Sequence, residues 1–90
     1  SKAHYAAEKI SEVSGFSLKF NGPFFKEFLV ETPIPPHRLI GRLAKKGIAA
    51  GLDMGRFNLG LKGCLMVAVT EKRSRHQIDD LVYELSKAAG

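Results

Sequence analysis

The sequence predicts an α+β fold: a mostly antiparallel four-stranded sheet with helices packed on it, in the order α-β-β-α-β-β-α. Three observations carry that expectation. Apolar residues recur at helical spacing near both ends of the chain and in its middle. Short strand-like runs fall in pairs between those stretches, the first pair joined at Asn21-Gly22, a favoured hairpin turn. Hairpin-linked strands with helices between the pairs bury one sheet face beneath the helices.

The first helix is expected over residues 2–14, where Ala3, Ala6, Ala7, Ile10 and Val13 form the apolar stripe and Gly15 is the stop. It begins almost at the first residue without a strong capping box, which points to a chain cut from something longer. Phe16-Ser17-Leu18-Lys19-Phe20 alternates as a half-buried strand does. After Pro23, Phe24 to Glu31 forms a second strand, apolar on both sides at Phe25, Phe28, Leu29 and Val30.

Thr32-Pro33-Ile34-Pro35-Pro36 cannot continue a ladder, because proline lacks the donor, and Pro36 suits the first turn of a helix. That helix buries Leu39, Ile40, Leu43 and Ala44 and closes at Gly47. Ile48 to Leu52 is expected as a short third strand, followed by a glycine-punctuated loop from Asp53 to Gly63. Cys64 to Val69 is the fourth strand: six apolar residues in a row leave no polar face, as in a central strand packed from both sides. Ser74 with Gln77 three residues on is a capping box for a last helix burying Ile78, Leu81, Val82 and Leu85. Three helices do not suffice for both sheet faces, so the uncovered one is expected to dock on further protein.

Ninety residues, 44% of them hydrophobic, make a single domain over 1–90. No apolar run approaches the roughly 20 residues that span a bilayer, and the first residues lack a signal-peptide core. The expected setting is cytoplasmic, with no membrane partner. The single Cys64, inside an apolar run, reads as a small core residue.

Self-contained chemistry is hard to build from these residues. His4, His37 and His76 lie on three different elements and in no metal-ligand spacing, and no nucleophile motif is present. The loop Gly51 to Gly60, with Arg56, offers glycines for an anion but matches neither a P-loop nor a dinucleotide fingerprint. The charge of +5 fits nucleic acid, acidic protein, a phosphorylated ligand or simply a solvated surface. Arg38, Arg42, Lys45 and Lys46 make a basic ridge, and Asn21 to Val30 is loosely similar to the base-stacking strand of RNA-recognition modules. Glu27 and Glu31 oppose that reading, so an RNA-binding α/β module stands only as an alternative.

Three separated motifs fit a family better. Gly22-Pro23-Phe24-Phe25-Lys26-Glu27-Phe28, then Lys46-Gly47-Ile48 leading to Gly51-Leu52-Asp53-Met54-Gly55-Arg56, then Val69-Thr70-Glu71-Lys72-Arg73 with Ile78-Asp79, together resemble the C-terminal part of glycine dehydrogenase (decarboxylating) subunit 1, the P-protein of the glycine cleavage system. The resemblance runs over essentially the whole chain. It implies the small C-terminal domain of a fold type I pyridoxal-phosphate enzyme, a fragment of a parent several times longer. The parent's implied reaction is glycine decarboxylation with transfer of the aminomethyl group to the lipoyl H-protein.

On this resemblance pyridoxal phosphate is bound through subunit 2, and the fragment alone is inactive, with no catalytic, cofactor or metal residue. The implied partners are the rest of subunit 1, subunit 2 and the H-protein, with no nucleic acid. Many fold type I relatives place a substrate-carboxylate arginine near the start of the last small-domain strand, where this chain has Leu65-Met66-Val67. Candidate contacts at a cleft or subunit boundary are Arg56 and Arg73, for an anion or acidic partner, with Thr70 and Glu71 as orienting hydrogen-bond groups. Their plainer reading is two solvated arginines and a helix start. Another fold type I aminotransferase-like enzyme is the remaining alternative.

Overall fold

The computed structural model describes residues 1–21, 26–57, 60–70 and 72–90, with the side chains of Phe20 and Asn21 set aside. The Gly22-Pro23-Phe24-Phe25 part of the expected hairpin, and the candidate Glu71, lie outside the described residues.

Helix α1 spans Lys2–Ser11, and Ser1 caps it by accepting from the His4 N–H at 3.2 Å. It ends three residues before the expected boundary, and Gly15 follows with φ 87°. Strands β1 (Ser17–Asn21) and β2 (Glu27–Glu31) pair antiparallel. Their register shifts between Leu18 and Phe20, so a bulge breaks the clean alternation expected of β1. Phe16 is buried just ahead of the strand, whereas Leu18 is 40% exposed.

Helix α2 spans Pro36–Ala44, with Pro36 in its first turn as expected. Its end is a Schellman motif built on Gly47 at φ 77°: the Ile48 N–H donates to the Leu43 carbonyl and the Gly47 N–H to Ala44, both at 3.0 Å. Those bonds hold Ile48 against the helix end, which corrects one expectation. The third strand is not Ile48 to Leu52 but β3, Leu52–Asp53, only two residues long. A 3-10 turn, Met54–Phe57, leads on to β4, Cys64–Ala68, and α3 covers Arg75–Ala89. The expected capping box is present in both directions: Gln77 N to Ser74 Oγ at 3.1 Å, and Ser74 N to Gln77 Oε1 at 2.8 Å.

The sheet is antiparallel throughout, in the order β1-β2-β4-β3, which makes β4 an interior strand. Phe28 pairs with Val67 and Val30 with Leu65, and these four share one core with Ala3, Ala6, Ala7 and Ile10 of α1, Leu39 and Leu43 of α2, and Ile78, Leu81 and Leu85 of α3. All three helices therefore cover the same sheet face. Each large side chain buried there contributes roughly 2 kcal/mol.

The alternate residues of β2 and β4 point the other way. Leu29 pairs with Met66, Glu31 with Cys64, and Met66 in turn with Leu52. Leu29 and Cys64 are buried, yet neither belongs to the helix-covered core. Met66 is half-buried, Ala68 is exposed and Leu52 is 44% exposed. The open face thus has an apolar centre, with Glu27 and Glu31 at its rim and a Lys19–Glu31 ion pair of 3.5 Å.

Candidate functional site

Two loops carry the candidate side chains, and β4 separates them. Ahead of β4, the Asp53 carboxylate accepts from the Gly55 N–H at 3.0 Å, an Asx turn that starts the 3-10 turn and presents Arg56. Arg56 is exposed, its guanidinium carbon 5.4 Å from the centre of the Phe57 ring. Beside this loop lies an open cavity of about 690 Å³, walled by the Thr32–His37 segment and by Gly60 to Gly63. Thr32 ties the two walls: its N–H donates to the Gly63 carbonyl at 3.2 Å, and its hydroxyl to the Ile34 carbonyl at 2.6 Å. The ionisable lining groups are His37, Asp53 and Lys62.

Beyond β4, the Val69 N–H donates to the Lys26 carbonyl at 2.7 Å, holding the strand's exit against the start of β2. The Arg73 N–H donates to the Thr70 carbonyl at 3.1 Å and closes the turn into α3. Thr70 is exposed, and its side chain makes no hydrogen bond among the described residues. Arg73 is half-buried in a groove of about 490 Å³ that also holds Lys46, Gln77, Asp80 and Glu84. Among the described residues no ion pair joins these charges. Cys64 and Ala68, the ends of β4, are separated by roughly 13 Å at a strand's rise per residue. Arg56 and Arg73 leave from opposite ends, so the fold does not bring them together around one small ligand.

Other candidates settle more simply. Phe28, on the strand compared with an RNA-stacking surface, is 1% exposed and belongs to the core. Among the described residues no group of three His, Cys, Asp or Glu is placed to hold a metal ion. Burial pushes the Cys64 thiol above its ordinary pKa, with Lys19 opposing and Glu31 adding to the shift. No helix of the described residues is long and apolar enough to cross a membrane.

One cluster was invisible in the sequence. The Tyr5 hydroxyl donates to Asp79 Oδ1 at 2.7 Å, and the Arg75 guanidinium carbon lies 4.3 Å from the Tyr5 ring centre. The hydrogen bond to Asp79 raises the Tyr5 pKa. This clamp joins α1 to α3 across 74 residues of chain, and nothing local to either segment announces it.

The geometry defines a two-layer α+β domain with one face roofed by helices and an apolar open face behind. That class is shared with part of a known enzyme: the chain superposes on a crystal structure of glycine decarboxylase (P-protein) of the glycine cleavage system in inhibitor-bound form, with a TM-score of 0.83 and 24% identity, over 96% of this chain and 19% of that one. The sequence is homologous to a segment of glycine dehydrogenase (decarboxylating) subunit 1. It is 48% identical over 85 residues to the probable subunit 1 of Chlorobaculum parvum, which is 94% of this chain and 18% of the relative. It is 49% identical over 81 residues to that of Moorella thermoacetica (90% and 18%), and 46% identical over 89 residues to that of Chlorobium luteolum (99% and 19%). No family model matches the chain. The chain spans about a fifth of the length of these relatives.

Proposed function

We propose that this chain is the small C-terminal domain of a cytoplasmic pyridoxal-phosphate enzyme, glycine dehydrogenase (decarboxylating) subunit 1, and that its role there is structural. Near-complete alignment to a segment of those relatives supports the parent. The observation that carries the role is the open sheet face, where Leu29, Leu52 and Met66 lie side by side with no helix over them. A contiguous apolar patch with a polar rim marks an interface. The rest of subunit 1 lies against it.

The parent cleaves glycine, releasing its carboxylate as carbon dioxide and passing the aminomethyl group to the lipoyl H-protein. Pyridoxal phosphate supplies the electron sink for such chemistry. This chain's described residues do not fit a site for that group: it needs a lysine enclosed beside a phosphate cradle, and no charged side chain here is buried. The cofactor is held through subunit 2, and this domain supplies scaffold. Arg56 and Arg73 are its contacts to an anion or acidic partner at a cleft or subunit boundary, in two separate places rather than one, with Thr70 and Glu71 as orienting hydrogen-bond groups.

The reading is tested in full-length subunit 1 assembled with subunit 2. Met66→Lys puts an unpaired charge into the docked face and is expected to lower assembly and glycine decarboxylation together; normal assembly would remove the interface role. Arg56→Ala and Arg73→Ala test the contacts separately. Unchanged turnover and unchanged assembly in both would strike those two residues from the site.

A further inference from the structure

A second surface lies on the other side of the domain, on the outer face of the helix layer. Within that layer the chain's positive charge is concentrated on the α2 segment. From Thr32 to Leu52 there is no Asp or Glu, yet Arg38, Arg42, Lys45 and Lys46 all fall within that stretch; the rest of the chain is nearly balanced, with ten Lys and Arg against nine Asp and Glu. Helix α2 buries Pro36, Leu39 and Leu43. At about 3.6 residues per turn, Arg38, Arg42 and Lys45 occupy the opposite side of the helix. All three are exposed, and none pairs with an acid among the described residues. Like charges at this spacing repel one another, and among the described residues no carboxylate pairs with them to offset that.

Gly41 sits on the same side, three residues after Arg38 and four before Lys45. It is exposed, its φ lies outside the left-handed region, and a Cβ there would meet nothing within 4 Å among the described residues. Neither backbone geometry nor packing among the described residues calls for glycine, which weakens a helix interior relative to alanine. The result is a patch of bare backbone flanked by three cations. One of them is already held: Arg42 Nη1 donates to the Ala88 carbonyl at the end of α3, which fixes the guanidinium before any partner arrives.

We propose that the outer face of α2 is a docking surface for an acidic polypeptide segment, laid along Arg38, Arg42 and Lys45 with its backbone closest at Gly41. An opposing helix with carboxylates at i, i+4 and i+7 matches the pitch of the cations, and the missing side chain at Gly41 lets the two main chains approach. Nucleic acid fits less well, since α2 carries no Phe, Tyr or Trp on which a base could stack. The proposal does not depend on the open sheet face or on the identity of the parent.

The experiment uses the full-length protein containing this chain, with fluorescent poly-L-glutamate and poly(U) as probes in anisotropy titrations at low and moderate salt. The expected result is that the triple reversal Arg38→Glu, Arg42→Glu, Lys45→Glu weakens poly-L-glutamate binding about tenfold or more, and that added salt weakens the wild type. Gly41→Leu, which keeps every charge and favours the helix, is expected to weaken the same binding. Should the triple reversal not fold, the neutral pair Arg38→Gln and Lys45→Gln is read instead, with a smaller loss expected. Unchanged poly-L-glutamate binding in the charge variants overturns the proposal, as does tighter binding of poly(U) with the same sensitivity. Normal binding by Gly41→Leu overturns the close approach at that residue.

Discussion

Gly51 shows how much one residue can decide. Its φ is +150°, and a Cβ built on it would stand 2.1 Å from the Met66 carbonyl oxygen. Only a residue without a side chain lets the chain run this close to β4 before pairing with it at Leu52. Gly51→Ala is expected to cost about 3 kcal/mol, since strain at a disfavoured φ and a clash with main-chain oxygen act together; a urea midpoint close to that of the wild type would refute this. Cys64 gives a residue-scale prediction about pH. Its thiol pKa is raised by burial, so the folded chain keeps a proton that the unfolded chain releases near the ordinary thiol value of about 8.5. The unfolded state then binds fewer protons, and stability must fall as pH rises through that value towards the folded pKa. Below it the contribution is complete. Cys64→Ala is expected to be less stable at neutral pH but to lose less on going from pH 7.5 to 9.5, measured as unfolding free energy at each pH.

Among the elements, the ends of α2 and the start of α3 were legible, while the end of α1 and the strand details were not. Pro36, Gly47 and the Ser74–Gln77 pair act through bonds to backbone groups a few residues away, so their chemistry shows in the sequence itself. Ser74→Ala should cost about 1 kcal/mol, the usual loss for a helix N-cap. Gln77→Ala, which removes only the return bond to the Ser74 N–H, should cost less; an equal or larger loss would show that Gln77 does more than cap. The bulge after Leu18, the two-residue length of β3 and the Tyr5–Asp79 clamp depend on partners far along the chain. Alternation in Phe16 to Phe20 promised a regular strand because a bulge has no fixed residue signature. Ile48 to Leu52 promised a longer strand because its first residue is apolar, yet the Schellman bond commits that residue to α2. The candidate site was legible only as separate pieces: the sequence could single out Arg56 and Arg73 as candidates, while their separation by β4 followed from the sheet order.

At the scale of the whole molecule, the same sheet has a face finished by its own helices and a face that is not, and substitutions on the two should separate folding from assembly. Leu81 is fully buried in the helix-covered core, so Leu81→Ala removes transfer free energy and leaves a cavity, at a cost of about 3 kcal/mol. Leu52 is 44% exposed, and Leu52→Lys in the ninety-residue chain should change stability by less than about 0.5 kcal/mol, as surface substitutions do. In the full-length subunit the order reverses for docking. Leu52→Lys leaves the domain folded but carries an ammonium into the proposed contact, a penalty of several kcal/mol when the partner face is apolar. Leu81→Ala leaves the docking surface untouched and weakens assembly only through the folded fraction. The measurements are denaturant unfolding of the ninety-residue chain and size-exclusion of full-length subunit 1 mixed with subunit 2. If Leu52→Lys destabilises the isolated chain as much as Leu81→Ala does, the open face is part of this domain's own core; if it spares assembly, the neighbour lies elsewhere.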